Sequence, residues 1–125
     1  MDRVELPFEL RQKSRQLARL ATGERVGLVV ARGRILRGGD VVKTVDGRDV
    51  EIIAAKERIA HIEADELARI AYHLGNRHVP VQVGRGFLRI AQDRVLEEMV
   101  LQLGARVTHI EAPFEPEGGA YHGHE

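Results

Sequence analysis

Along residues 57–112 the apolar positions change period in a fixed order. Glu57–Ala64 alternates apolar and polar side chains as a half-buried strand does. Leu67, Ile70, Ala71 and Leu74 then recur at i, i+3, i+4 and i+7, the stripe of one helix face. Asp65 stands where an N-cap is expected and Gly75 where a left-handed C-terminal cap would sit. Val79–Val83 and Phe87–Ala91 flank Gly84-Arg85-Gly86, the signature of a hairpin. Asp93 can cap a second helix with Val95, Leu96, Met99, Val100 and Leu103 along one face, and Gly104 closes it. Arg106–Ala112 is a final strand, followed by Pro113 and Pro116. The order is β-α-β-β-α-β, the ferredoxin-like split βαβ arrangement. Leu74-Gly75-Asn76-Arg77 and Leu103-Gly104-Ala105-Arg106 fall at the same point after each helix, as a weak internal repeat would. The habit of Leu-Gly to end helices explains them equally well.

The preceding residues read as short strands broken by turns. Gly23-Glu24 separates Leu17–Ala21 from Val26–Val30, which predicts a hairpin. Arg32-Gly33, Gly38-Gly39-Asp40 and Asp46-Gly47 punctuate Ile35-Leu36, Val41-Val42 and Val50–Ile53. Phe8 to Ala21 is read as strand, although its Glu, Leu, Arg, Gln and Ala favour helix by propensity.

Charge sharpens this division. The formal net charge is zero. Yet residues 1–56 hold 12 Lys or Arg against 8 Asp or Glu, and residues 57–125 hold 7 against 11 together with all six histidines. The sequence therefore predicts an α+β chain of three parts: a β-rich module over 1–56, a ferredoxin-like module over 57–117 and a flexible tail over 118–125. Modules of about 60 residues have marginal cores, so contact between modules or chains is expected. There is no cysteine, which excludes disulfides, thiolate metal sites and a cysteine nucleophile. No apolar run spans a membrane and no secretory signal opens the chain, so a cytoplasmic protein is expected. Zero net charge weighs against broad nucleic-acid binding.

Histidine is the main chemical resource. His61 and His109 fall in strands, where a core or sheet-surface role is the simpler reading. His73 lies in the last turn of the first helix, where the helix dipole favours a cation. His78 follows that helix as the chain enters a strand, a place that would fix a ligand well. His122 and His124 lie in the glycine-rich tail, where two imidazoles and a terminal carboxylate can bind nickel, copper or zinc. Catalytic motifs are missing: Gly84-Arg85-Gly86 lacks the spacing of a phosphate loop, and neither Gly-x-Ser-x-Gly nor His-Glu-x-x-His occurs. Asp93, Glu97 and Glu98 read as the solvated side of the second helix. No enzyme is expected.

Three ordered stretches carry a more specific message. Ala71-Tyr72-His73-Leu74-Gly75-Asn76-Arg77-His78-Val79-Pro80-Val81-Gln82 closely resembles the hallmark of the UreE family, nickel metallochaperones of urease maturation. Arg32-Gly33-Arg34-Ile35-Leu36-Arg37-Gly38-Gly39-Asp40-Val41 and Pro113-Phe114-Glu115-Pro116-Glu117-Gly118-Gly119-Ala120-Tyr121 are similar to two further family stretches. The resemblance runs nearly the whole length. It implies an N-terminal module like the peptide-binding domains of Hsp40 chaperones, a ferredoxin-like metal-binding module and a homodimer joined through the latter. It casts His78 as the residue that meets its two-fold mate on a shared Ni²⁺, with His122 and His124 as further ligands. The implied cargo is Ni²⁺, with Zn²⁺ or Cu²⁺ also able to bind. The implied partners are apo-urease and its accessory proteins, notably the GTPase UreG, with no nucleic acid and no membrane.

The chain departs from the family pattern in three places. Relatives carry another strand ahead of the Leu6-Pro7 segment, so a first module truncated at its start is expected. Some relatives place histidines on either side of the aspartate before the second helix, where this chain has Gln92 and Arg94; glutamine binds metal weakly and arginine not at all. The tail has two histidines where many relatives have a run. The alternative function is a passive histidine-based Zn, Cu or Ni buffer or adaptor unconnected with urease.

Overall fold

The computed structural model describes residues 1–118. It is a mixed α+β chain that divides into two compact units, Met1–Ala55 and Lys56–Glu117. Among the described residues no helix is long and apolar enough to cross a membrane.

The first unit contains β1 (Asp2–Leu6), a single helical turn α1 (Phe8–Arg11), β2 (Arg15–Arg19), β3 (Arg25–Val29), β4 (Val41–Lys43) and β5 (Asp49–Ala54). The strands form a three-stranded sheet in the order β1-β5-β4 and an antiparallel β2-β3 pair. Ahead of Pro7, β1 runs parallel to β5, with Asp2 opposite Val50 and Leu6 opposite Ala54. One expectation is corrected here. Phe8–Ala21 is not one strand, because Pro7 starts a helical turn whose Leu10 and Arg11 amides both donate to the Pro7 carbonyl at 3.1 Å. Proline suits that entry, since its fixed φ and missing N–H cost a helix start little.

Val4, Leu6, Ala18, Leu20, Val26, Leu28, Leu36, Val42, Val50 and Ile52 form the core of this unit. Ile35-Leu36 is not a strand, a further correction. Leu36 instead plugs the core as a fully buried side chain in irregular backbone. Arg11 makes that possible. Its carbonyl accepts the Leu36 amide at 2.9 Å, and its own Nη1 donates to the Leu36 carbonyl at 3.1 Å. Its Nε donates to the Leu6 carbonyl at 3.0 Å, so this fully buried guanidinium ties α1, β1 and the loop together. At the surface Arg48 grips Glu24 with paired bonds of 2.6 and 3.0 Å and also reaches Asp46, which Thr44 bonds through its hydroxyl. Arg48 holds the Glu24 carboxyl below its usual range, and Thr44 followed by Arg48 does the same for Asp46. The clamp is therefore complete at neutral pH and loosens as acid protonates the two carboxylates.

The second unit runs β6 (Lys56–Glu63), α2 (Leu67–Asn76), β7 (Gln82–Val83), β8 (Leu88–Ala91), α3 (Arg94–Gln102) and β9 (Arg106–Pro113). Its sheet has the order β7-β8-β6-β9, with every neighbouring pair antiparallel. Ala60 and Ile62 of β6, Leu88 and Ile90 of β8, Ile70 and Leu74 of α2 and Val100 of α3 pack together as the core. Val95, expected on the apolar face of α3, is three-quarters exposed instead, since Leu96, Met99, Val100 and Leu103 already fill that face.

The two helices end differently, which corrects the apparent repeat. Gly104 takes φ 95°, its amide donates to Leu101 O at 3.0 Å and the Ala105 amide donates to Val100 O at 2.9 Å, a Schellman cap. Gly75 lies within α2, not after it, and the left-handed residue there is His78. The starts differ as well. Asp65 is fully exposed, and α2 begins without a side-chain cap. Asp93 does cap α3: its Oδ1 accepts the Leu96 amide at 3.0 Å while Glu97 Oε2 accepts the Asp93 amide at 2.8 Å. Asp93→Ala should therefore lower stability by about 1 kcal/mol, measured by urea denaturation.

Candidate metal centre

The best-placed candidate ligand sits at the end of α2. Arg77 is the C-cap, and the His78 amide donates back to Gly75 O at 3.0 Å. His78 has φ 57°, the one non-glycine residue with positive φ among the described residues. That backbone state costs a side-chain-bearing residue about 1–3 kcal/mol and persists where the surroundings fix it. The fixing groups are identifiable. Arg77 Nε meets Met99 Sδ of α3 at 2.9 Å, and Pro80 prevents the helix from continuing. The His78 residue itself is exposed at the surface. The C-terminal end of a helix carries partial negative charge, so this is a favourable place for a cation.

The other histidines have separate surroundings. His73 is half-buried on α2, with its ring edge-on to Tyr72 at 5.3 Å between centroids. His61 on β6 stacks on Phe87 at 4.8 Å, and its Nδ1 accepts a bond from Arg89 Nε at 3.1 Å. That bond occupies one ring nitrogen and leaves Nε2 to carry the proton of a neutral imidazole. Phe87 in turn lies over Gly84, where a Cβ would meet its ring at 2.0 Å, so only glycine fits beneath it. His122 and His124 lie outside the described residues.

A pairing that the sequence reading missed joins α3 to β9. His109 Nε2 lies 2.5 Å from Glu97 Oε1, and the Glu97 side chain is only 13% exposed. Glu97 is thus no member of a solvated face. The two residues share a groove of about 430 Å³ with Gln92, Asp93, Arg94, Glu98 and Leu101. A histidine pointing to the helix side of β9, twelve residues from a glutamate on α3, was the available signal. Among the described residues no group of three or more His, Asp or Glu side chains converges as a metal cage. Metal held by His78 would need ligands from a second chain or from the tail.

Comparison with known proteins agrees with this division. The family model described as the UreE urease accessory protein N-terminal domain matches residues 1–55, and that of its C-terminal domain matches residues 55–125. A urease accessory protein UreE of Alkalilimnicola ehrlichii is 50% identical over 121 residues, covering 94% of this chain and 74% of the relative. One of Ralstonia nicotianae is 49% identical over 128 residues, covering 96% of this chain and 61% of the relative. One of Janthinobacterium sp. is 51% identical over 119 residues, covering 93% and 70%. The chain thus spans 61–74% of the length of these three relatives.

Proposed function

The chain belongs to the UreE family of urease accessory proteins, and from that premise we propose that it is a nickel metallochaperone. It binds Ni²⁺ at a homodimer interface in the cytoplasm and delivers it to apo-urease, working with the other accessory proteins, notably the GTPase UreG. Its role is carriage and not catalysis. The first unit is read as a relative of the Hsp40 peptide-binding domains and the second as ferredoxin-like. The all-antiparallel order β7-β8-β6-β9, with a helix after β6 and after β8, supports the second of these.

The observation that carries the proposal is the exposed, backbone-fixed position of His78 without companion ligands among the described residues. One imidazole holds Ni²⁺ weakly, and a two-fold axis doubles it without any further residue. His122 and His124 of the tail complete or extend the set. Neutral imidazoles suit Ni²⁺, while a small set of ligands at the surface lets the ion pass to the next protein. Gln92 and Arg94 flank Asp93 with no second imidazole pair, so one tight site per dimer is the reading.

Calorimetry with Ni²⁺ on the whole chain, together with sedimentation across a dilution series, tests this. The tight site should saturate near one ion per two chains. Nickel should strengthen the dimer by about 2.7 kcal/mol when free metal stands a hundredfold above its dissociation constant. Protons compete with the metal for imidazole nitrogen, so affinity should fall as the solution is acidified. A monomer that binds one ion per chain with no change of mass overturns the bridging site.

A further inference from the structure

We propose that the outward face of the β2–β3 hairpin docks an acidic segment of a partner protein that also carries large apolar side chains. In an antiparallel pair with one solvated face, the outward positions are ordinarily polar. The inward residues, Ala18 and Leu20 with Val26 and Leu28, are buried as expected. The outward ones are Arg15, Leu17 and Arg19 opposite Val29, Gly27 and Arg25. Leu17 is 70% exposed and Val29 52%. Val45, whose amide donates to the Gly27 carbonyl at 2.9 Å, adds a third aliphatic side chain at 71%. With Arg15 and Gln16 these residues line a groove of about 320 Å³. Gly27 keeps the floor open, because a Cβ there would approach Val45 Cγ2 to 2.9 Å and push it aside.

Charge identifies the occupant. Arg19 and Arg25 stand directly opposite each other across the two strands, a like-charge pair that weakens the hairpin. The acidic residues of the adjoining turns, Glu24 and Asp46, are held by Arg48. Among the described residues neither Arg15 nor Arg25 has a carboxylate within salt-bridge reach, and Arg19 donates to the Gly23 carbonyl at 3.2 Å. An acidic segment relieves the repulsion while its apolar side chains take the groove. The face offers no aromatic ring on which a base could stack, which disfavours nucleic acid.

The test uses the full chain and a fluorescein-labelled probe, Glu-Leu-Glu-Leu-Glu-Leu-Glu, with its lysine-for-glutamate counterpart as control. By anisotropy the acidic probe should bind at least about tenfold tighter than the basic one, and more weakly as salt rises. Leu17→Ser and Arg25→Glu should each weaken it about tenfold. Arg25→Glu should at the same time raise the melting temperature, since it replaces a like-charge pair with an opposite one. Equal binding of the two probes, or indifference to both substitutions, overturns the proposal. So does self-association that Leu17→Ser abolishes and the acidic probe does not compete, which would give the face to a second copy of the chain. Tighter binding to phosphatidylserine vesicles than to the probe, lost in the same variants, would give it to a membrane and overturn the proposal as well.

Discussion

Replacing His78 with alanine should abolish the tight nickel site. Disturbing groups that merely support a metal ligand costs about 10–100-fold in affinity, and removing a ligand that occurs twice in a dimer should exceed that range. The backbone offers a control. His78 has φ 57°, which alanine tolerates no better than histidine, whereas glycine adopts it freely. His78→Gly should therefore raise the unfolding free energy by about 1 kcal/mol while losing nickel as completely as the alanine variant. Calorimetry and urea denaturation on the three chains separate the two effects. His78 as a helix terminator alone would give a glycine variant that is more stable and binds nickel normally, and that result would remove His78 from the site.

Arg11 should matter as much to folding as His78 does to metal. Arg11→Leu keeps an apolar chain in the space but removes the bonds that Nε and Nη1 make to the Leu6 and Leu36 carbonyls at 3.0 and 3.1 Å, leaving the Leu6 carbonyl with the Ala55 amide alone. Bonds to a charged donor contribute about 1.5–3 kcal/mol each, so the loss should reach about 3–5 kcal/mol. Arg11→Lys should recover part of it, because an ammonium can reach one carbonyl but has no planar fork for two directions. Urea denaturation followed by circular dichroism measures both. A leucine variant within 1 kcal/mol of the parent would show that the carbonyls find other donors.

These two residues mark what the sequence could and could not disclose. Residues 57–112 were legible because their elements are local: α2 follows its own apolar stripe, and Asp93 caps α3 from the adjacent position. The first unit was less so. Asp2–Leu6 offers only Val4 and Leu6 as inward positions, a pattern too short to identify a strand whose partner, β5, lies far along the chain. Ile35-Leu36 looked like a strand because both are β-formers, yet the backbone partner of Leu36 is Arg11 and no strand at all. Gly75 looked like the cap because glycine normally takes positive φ, and histidine three residues later holds it instead. At the site, family resemblance picked out His78, whereas the Glu97–His109 pair depends on how α3 packs on β9 and left no pattern in either element alone. His122 and His124 rest on the sequence alone.

The parallel partnership of β1 with β5 has a consequence for synthesis. Asp2 pairs with Val50, so β1 leaves the ribosome roughly fifty residues ahead of β5, its full-length neighbour. At about 5–20 residues per second, that leaves β1 without its sheet for about 2–10 s. For those seconds Val4 and Leu6 lie open to any other nascent strand or holding factor. The charges of Asp2, Arg3 and Glu5 interleave them, which keeps so short an edge from recruiting another chain before β5 arrives.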